Sequence, residues 1–205
     1  QGNKPMSISY TVVVQDELND VKRLHYTLEV CKKVQDETIA VHLYREDHEM
    51  NDSVHVEIKE YLMDNFDTYC NYKNKNDITH LKNYVCDLAT KDYVFLLDAN
   101  EFLTAQTLAL WNNVIKNEPE YDIFWTPRVN IDDTISQKEK EERYGLRLNE
   151  KGWINWPDNQ PRIIKKSSGL IWEQQESGIS IKGAKKSGAL TPDPRLATVN
   201  HKRNQ

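Results

Sequence analysis

The chain has 205 residues, 38% of them hydrophobic and 29% charged, with a formal net charge of −5. That length suits one α/β domain with a core of its own, and no apolar run approaches the roughly 20 residues of a membrane span. The acidic balance hides an asymmetry: from Lys165 onward eight bases face three acids, a pattern that suits an anionic partner as well as a solvated loop.

In chain order, residues 8–17 (ISYTVVVQDE) predict a buried strand ending in polar residues. Leu18, Val21, Leu24, Leu28 and Cys31 then recur at helical spacing. Residues 37–47 predict a second strand closing on Glu46 and Asp47, followed by an amphipathic helix with Val54, Ile58, Tyr61 and Leu62 on one face. A short third strand over 67–74 precedes a helix marked by Ile78, Leu81, Val85 and Leu88. Residues 92–101 (DYVFLLDANE) predict the next strand, 104–117 a helix, and 121–131 a further strand. Strands alternating with helices imply a mostly parallel sheet. In such sheets ligands bind beyond the carboxyl ends of the strands, where Glu17, Glu46, Asp47, Asp98, Asn100 and Glu101 all fall.

After Asn130 the character changes. Residues 132–162 predict a charged helix or lid, with QKEKEER as its solvated face, and then a loop carrying Trp153 and Trp156. Residues 163–183 predict a hairpin turning at SSG. Residues 184–195 show turn chemistry and little periodicity.

Cys31, Cys70 and Cys86 form no CxxC pair, so neither a zinc cage nor a disulfide framework is predicted. A reducing cytoplasm fits, no signal segment opens the sequence, and the five residues before Met6 read as an expression remnant. GxGxxG, GxxxxGK, GxSxG and HExxH are all missing. What remains is the acidic strand end. The hard oxygens of Asp98, Asn100 and Glu101 suit Mg²⁺ or Mn²⁺ better than zinc, and such an ion bridges phosphates.

The order strand, QDELNDVKRL, strand, LKNYVCDLATKDYVFLLDANEFLT resembles family-two glycosyltransferases of the GT-A fold. These typically carry an Asn-Glu pair after the first strand, a Lys-Asn on a later helix and then Asp-Ala-Asp-Glu. Residues 148–172 and the closing ATVNHKR are similar to small bacteriophage-encoded members. The resemblance implies one GT-A-like α/β domain over 1–205. Residues 6–130 would form its nucleotide-sugar-binding half, and 131–205 its acceptor-binding half, hairpin region and tail. It implies transfer of a sugar from a UDP-linked donor to an acceptor hydroxyl, with hydroxymethylcytosine in phage DNA as a candidate acceptor and the host cytoplasm as the setting.

Carried over by position, the resemblance gives Glu17, Glu46 and Asp47 to the nucleobase, and Lys82 and Asn83 to the nucleotide or its phosphates. Asp98, Asn100 and His201 fall at the Mn²⁺ or Mg²⁺ diphosphate position, with Glu101 in support. Arg162 and Lys165 are candidates for phosphate or acceptor. Two departures stand out. Asn100 replaces the family's usual Asp, a neutral and weaker ligand. The His-Glu pair that usually follows the late Trp is missing from WEQQESGI, leaving Glu176, then Glu173, as candidate general base. The alternative is a catalytically weakened, glycosyltransferase-like binding module. A sugar nucleotidyltransferase is disfavoured by the lack of a Gly-rich loop. Among the aromatic residues, Trp153 and Trp156 are the better candidates for stacking on a ligand.

Overall fold

The computed structural model describes residues 4–45, 53–74 and 76–203. A seven-stranded sheet runs in the order β11-β6-β8-β4-β1-β2-β3. Its members are β1 (Ile8–Val14), β2 (Glu37–Arg45), β3 (Thr68–Asn74), β4 (Tyr93–Asp98), β6 (Ile123–Thr126), β8 (Gln160–Lys165) and β11 (Ser187–Ala189). β1 pairs in parallel with β2 and β4, and β2 with β3. β8 alone runs the other way, between β4 and β6.

Period-two alternation builds two cores. In β4, Tyr93, Phe95 and Leu97 join Tyr10, Val12 and Val14 of β1 on the face covered by α1 (Leu18–Cys31), α2 (Ser53–Asn65) and α4 (Ala105–Asn117). Val94 and Leu96 point to the other face, where α3 (Ile78–Leu88) supplies Leu81 and Val85. Trp111 of α4 is fully buried against Phe95, in edge-on contact at 5.8 Å. A strand buried on both faces reads as the continuous apolar run seen in β4.

The predicted strand over 121–131 is divided in two. Pro127 offers no N–H to a ladder, and β6 ends there; β7 (Arg128–Asp132) leaves for a second sheet. That sheet runs β5-β12-β7, with β5 (Glu101–Phe102) antiparallel and β7 parallel to β12 (Thr198–Lys202). The predicted hairpin is also corrected. The SSG segment is a 3₁₀ turn between β8 and β9, and β8 joins the large sheet. The hairpin is formed by β9 (Ile171–Gln175) and β10 (Gly178–Lys182), with Glu176 and Ser177 at its tip. The segment read as turn chemistry contains the edge strand β11.

The charged helix α5 (Gln137–Tyr144) buries no residue and starts with a capping box between Ser136 and Glu139. Among the described residues no helix is long and apolar enough to cross a membrane.

Candidate active site

β4 ends at Asp98 because the chain turns there. The Ala99 amide donates to the Val13 carbonyl at 2.9 Å, and Glu101 begins β5 beside Asn200 of β12. The three polar residues after the strand have different fates. Asp98 keeps 43% of its side chain exposed, Asn100 is exposed, and the Glu101 side chain is only 4% exposed.

Arg162 explains this division. Ile163 pairs with Phe95, so Arg162 runs beneath the end of β4. Its guanidinium donates to the Leu96 carbonyl at 3.3 Å, to Asp98 Oδ2 at 3.0 Å and to Glu101 Oε1 at 2.5 Å. Arg128 continues the chain, donating to Glu101 Oε1 at 3.2 Å and to Asp158 Oδ2 at 2.6 Å. Asn130 Nδ2 also donates to Asp158 Oδ2, at 2.8 Å, and Asn200 Nδ2 donates to Asn130 Oδ1 at 3.2 Å. Buried charges cost several kcal/mol each unless paired; in this network each of Asp98, Glu101 and Asp158 meets a guanidinium. Two atoms of the network, Glu101 Oε2 and Arg162 Nε, are buried without a partner among the described residues.

The electrostatics follow. Burial alone would raise the Asp98 carboxyl, but Arg162 and then Lys82 outweigh it and hold it below the ordinary range. Burial would lower the Arg162 guanidinium, yet Glu101 and Asp98 push it up. Lys82 is lowered by burial and then by Arg162, against the pull of Asp98. Its ammonium lies 4.8 Å from the centre of the Trp172 ring and hydrogen-bonds to none of the described residues.

The remaining predicted residues divide sharply. Asn83 is committed to backbone: its amide donates to the Trp172 carbonyl and accepts from the Trp172 N–H, each at 2.9 Å, tying α3 to β9. Glu17 folds back onto its own turn, accepting from the Gln15 and Asp16 amides at 2.7 and 3.1 Å; burial raises its carboxyl. Glu46 and Asp47 lie outside the described residues. Arg162 is nearly buried, with its terminal nitrogens taken by carboxylates. Glu176 is exposed at the hairpin tip, while Glu173 faces Lys182 at 3.7 Å. Trp172 is 3% exposed beneath Lys82, and Trp153 meets Trp156 edge-on at 5.0 Å.

The basic cluster is where the sequence reading needs its main correction. The resemblance makes Lys165 a candidate for phosphate or acceptor, and a DNA acceptor would need Lys165, Lys166, Lys182, Lys185 and Lys186 on one face beside the donor pocket. Lys165 instead pairs with Tyr93, at the opposite end of β4 from Asp98, about 17 Å away at ~3.3 Å per residue. Its ammonium donates to the Pro119 carbonyl at 2.6 Å, and that of Lys166 to the Cys86 carbonyl at 2.5 Å. The Lys185 and Lys186 amides both donate to Asp122, beside Lys165.

β12 separates two clefts by simple alternation. Val199, His201 and Arg203 line one of about 420 Å³, together with Asn100, Phe102, Asp20 and Arg23. Asn200 and Lys202 line the other, of about 350 Å³, with Arg128, Asn130, Asp132 and Tyr144. Arg23, Arg128, Asp158 and Arg203 were not legible as site residues. Asp158 and Arg162 share the segment PDNQPR, and that spacing was the available signal.

The divalent ion implied for Asp98, Asn100 and His201 does not fit these residues. Asp98 gives one oxygen to Arg162, and Asn100 contributes only a neutral amide. At His201 both ring nitrogens are taken: Nε2 meets Asp133 Oδ2 at 2.5 Å, and Arg203 donates to Nδ1 at 2.8 Å. A guanidinium only donates, so the Nδ1 lone pair is occupied. Among the described residues no group of three His, Cys, Asp or Glu is placed to hold a metal.

No family model matches the sequence, and no curated protein matches it. Solved structures match its architecture. Residues 1–349 of S. aureus TarS, in complex with UDP-GlcNAc, superpose with a TM-score of 0.60 at 12% identity, covering 98% of this chain and 60% of that one. The same fragment with UDP gives 0.58 at 11% identity, over 95% and 60%. A longer TarS gives 0.59 at 12%, over 96% of this chain and 37% of its own. The fold is GT-A. The chain spans at most 60% of these GT-A-type glycosyltransferases, and at 11–12% identity the likeness concerns the fold alone.

Proposed function

We propose that this chain is a glycosyltransferase of the family-two type that uses a UDP-linked sugar. The supporting observation is the electrostatic influence of Lys82 and Asp98 on one another at the carboxyl end of β4, with no direct ion pair between them. A partly buried ammonium without a hydrogen-bond partner among the described residues stands beside a carboxylate fixed from below by Arg162. In this reading Lys82 meets a donor phosphate. Asp98 offers its outer oxygen to a donor hydroxyl, and Arg162 holds that carboxylate in place. TarS, of the same fold, binds UDP-GlcNAc and UDP.

The acceptor enters on the Asn200 side of β12, where Asn130, Asp132, Tyr144 and Lys202 offer groups for hydroxyl recognition. DNA is set aside as acceptor, because Lys165, Lys166, Lys185 and Lys186 lie at the opposite end of β4 from Asp98. In the transfer, the acceptor oxygen bonds to the anomeric carbon as the bond to the diphosphate breaks. If configuration inverts, Glu176 takes the acceptor proton.

The exposed position of Glu176 favours one second reading, a donor-binding module without transfer. Calorimetry with UDP and UDP-GlcNAc, followed by donor consumption over a panel of sugar acceptors, separates the two. The enzyme turns over donor, Glu176→Gln slows it, and UDP binding is kept. Asp98→Asn weakens UDP-sugar binding about tenfold or more, the scale of a lost charged hydrogen bond. UDP binding without turnover on any acceptor supports the module, and no nucleotide binding at all rejects both.

A further inference from the structure

We infer that the departing diphosphate is held and neutralised by Arg23 and Arg203, in the cleft beside Asn100, without a divalent ion. The inference rests on the glycosyltransferase reading above and deepens it.

The cleft is lined by Asn100 and His201, two of the three residues that the sequence resemblance gives to a metal, and by the guanidiniums of Arg23 and Arg203. Arg203 is exposed and hydrogen-bonds only to His201 among the described residues, so no carboxylate directly offsets its charge. Arg23 lies over the Phe102 ring at 4.9 Å and meets Asp20 at 3.1 Å, both side chains about half exposed. A stacked guanidinium with a weak surface partner is pre-organised for a phosphate and keeps donors to spare. His201 stands between Asp133 and Arg203 and orients the latter toward the cleft. A divalent ion would have to displace Arg203 from His201 Nδ1 and then sit between two guanidiniums, with one half-neutralised carboxylate for support. A diphosphate meets the same groups favourably, and bidentate guanidinium–phosphate pairs are among the stronger polar contacts.

The charge balance is complete without the ion. As the anomeric carbon–oxygen bond breaks, its electron pair goes to the β-phosphate oxygen and the diphosphate gains one negative charge. The acceptor oxygen bonds to the anomeric carbon, and its proton passes to the base or to water. Preorganised guanidiniums near the forming charge stabilise it as a metal would.

The test is calorimetry of the whole chain with UDP, once in EDTA and once with Mn²⁺. The inference expects affinities within about twofold of one another. Arg203→Gln should weaken UDP about tenfold in EDTA and leave uridine unchanged, with partial recovery in Arg203→Lys. Both variants alter an exposed side chain, and circular dichroism checks that they fold. Affinity at least tenfold tighter with Mn²⁺ overturns the inference and leaves the glycosyltransferase reading standing. Equal loss of UDP and uridine in Arg203→Gln also overturns it, because the residue would then not act on phosphate. Absence of UDP binding in both conditions removes the reading on which it rests.

Discussion

The molecule has two gatherings of cations, at opposite ends of β4, and they are built by different rules. At the carboxyl end Arg162 and Arg128 are mostly buried, and their hydrogen bonds reach three carboxylates, Asp98, Glu101 and Asp158. At the amino end Lys165 and Lys166 reach backbone carbonyls, and Lys186 reaches Glu120 at 2.7 Å on the surface. Charge counted along the sequence points to the second group, since four of the eight C-terminal bases, Lys165, Lys166, Lys185 and Lys186, are there. Charge weighed by burial points to the first. A solvated lysine is screened and worth little, whereas a buried arginine persists only where partners are fixed around it.

Arg162→Met gives the sharpest break of this contrast. It leaves Asp98 and the buried Glu101 without their main cation, and the expected loss is about 3–5 kcal/mol in chemical denaturation. A loss under ~1 kcal/mol would mean that the network adds little.

The next test asks what burial does without a counter-charge. His42 is fully buried on β2, with Nε2 at 2.9 Å from His55 Nδ1 and Nδ1 at 3.2 Å from the Tyr69 hydroxyl. Burial first, then the His55 ring, pushes its imidazole down to about 4. The unfolded chain takes that proton near pH 6.5. Between the two values the unfolded state binds more protons, so stability present above pH 6.5 drains as pH falls toward 4. The loss is about 3 kcal/mol, and His42→Gln should flatten the profile. A stability curve that is level from pH 7 to 4.5 contradicts this.

The smallest effect is expected at the amino edge. Reversing Lys185 and Lys186 to Glu should leave the thermal midpoint and UDP affinity unchanged within error. A clear drop in nucleotide affinity would show that the two ends communicate.

Much of the fold was legible because local pattern and global position agree. The alternation in β1 and the run Tyr93 to Leu97 announced buried strands, and Leu24, Leu28, Leu81 and Val85 announced helix faces. The errors arose where a distant partner decides. Ile163 and Ile164 look like one arm of a hairpin, but their partners are Phe95 and Val94, about 70 residues earlier. Pro127 was visible, yet its effect depends on a second sheet waiting beside it. In the site, the position of Asp98 followed from its strand end. The guanidiniums beneath it did not, because nothing local says that an arginine between Pro161 and Ile163 will be buried.

The alternation along β12 also makes the two clefts a matter of phase. Positions 199, 201 and 203 open on one side, and 200 and 202 on the other. Removing one residue between β11 and β12 and letting the strand re-pair would exchange the two sets, turning arginine and histidine toward the cleft of Asn130 and Tyr144 and asparagine and lysine toward that of Asn100 and Phe102. The strand therefore behaves as a reading frame: point changes at odd and even positions should sort into two separately tunable groups, while a single-residue shift should scramble both at once.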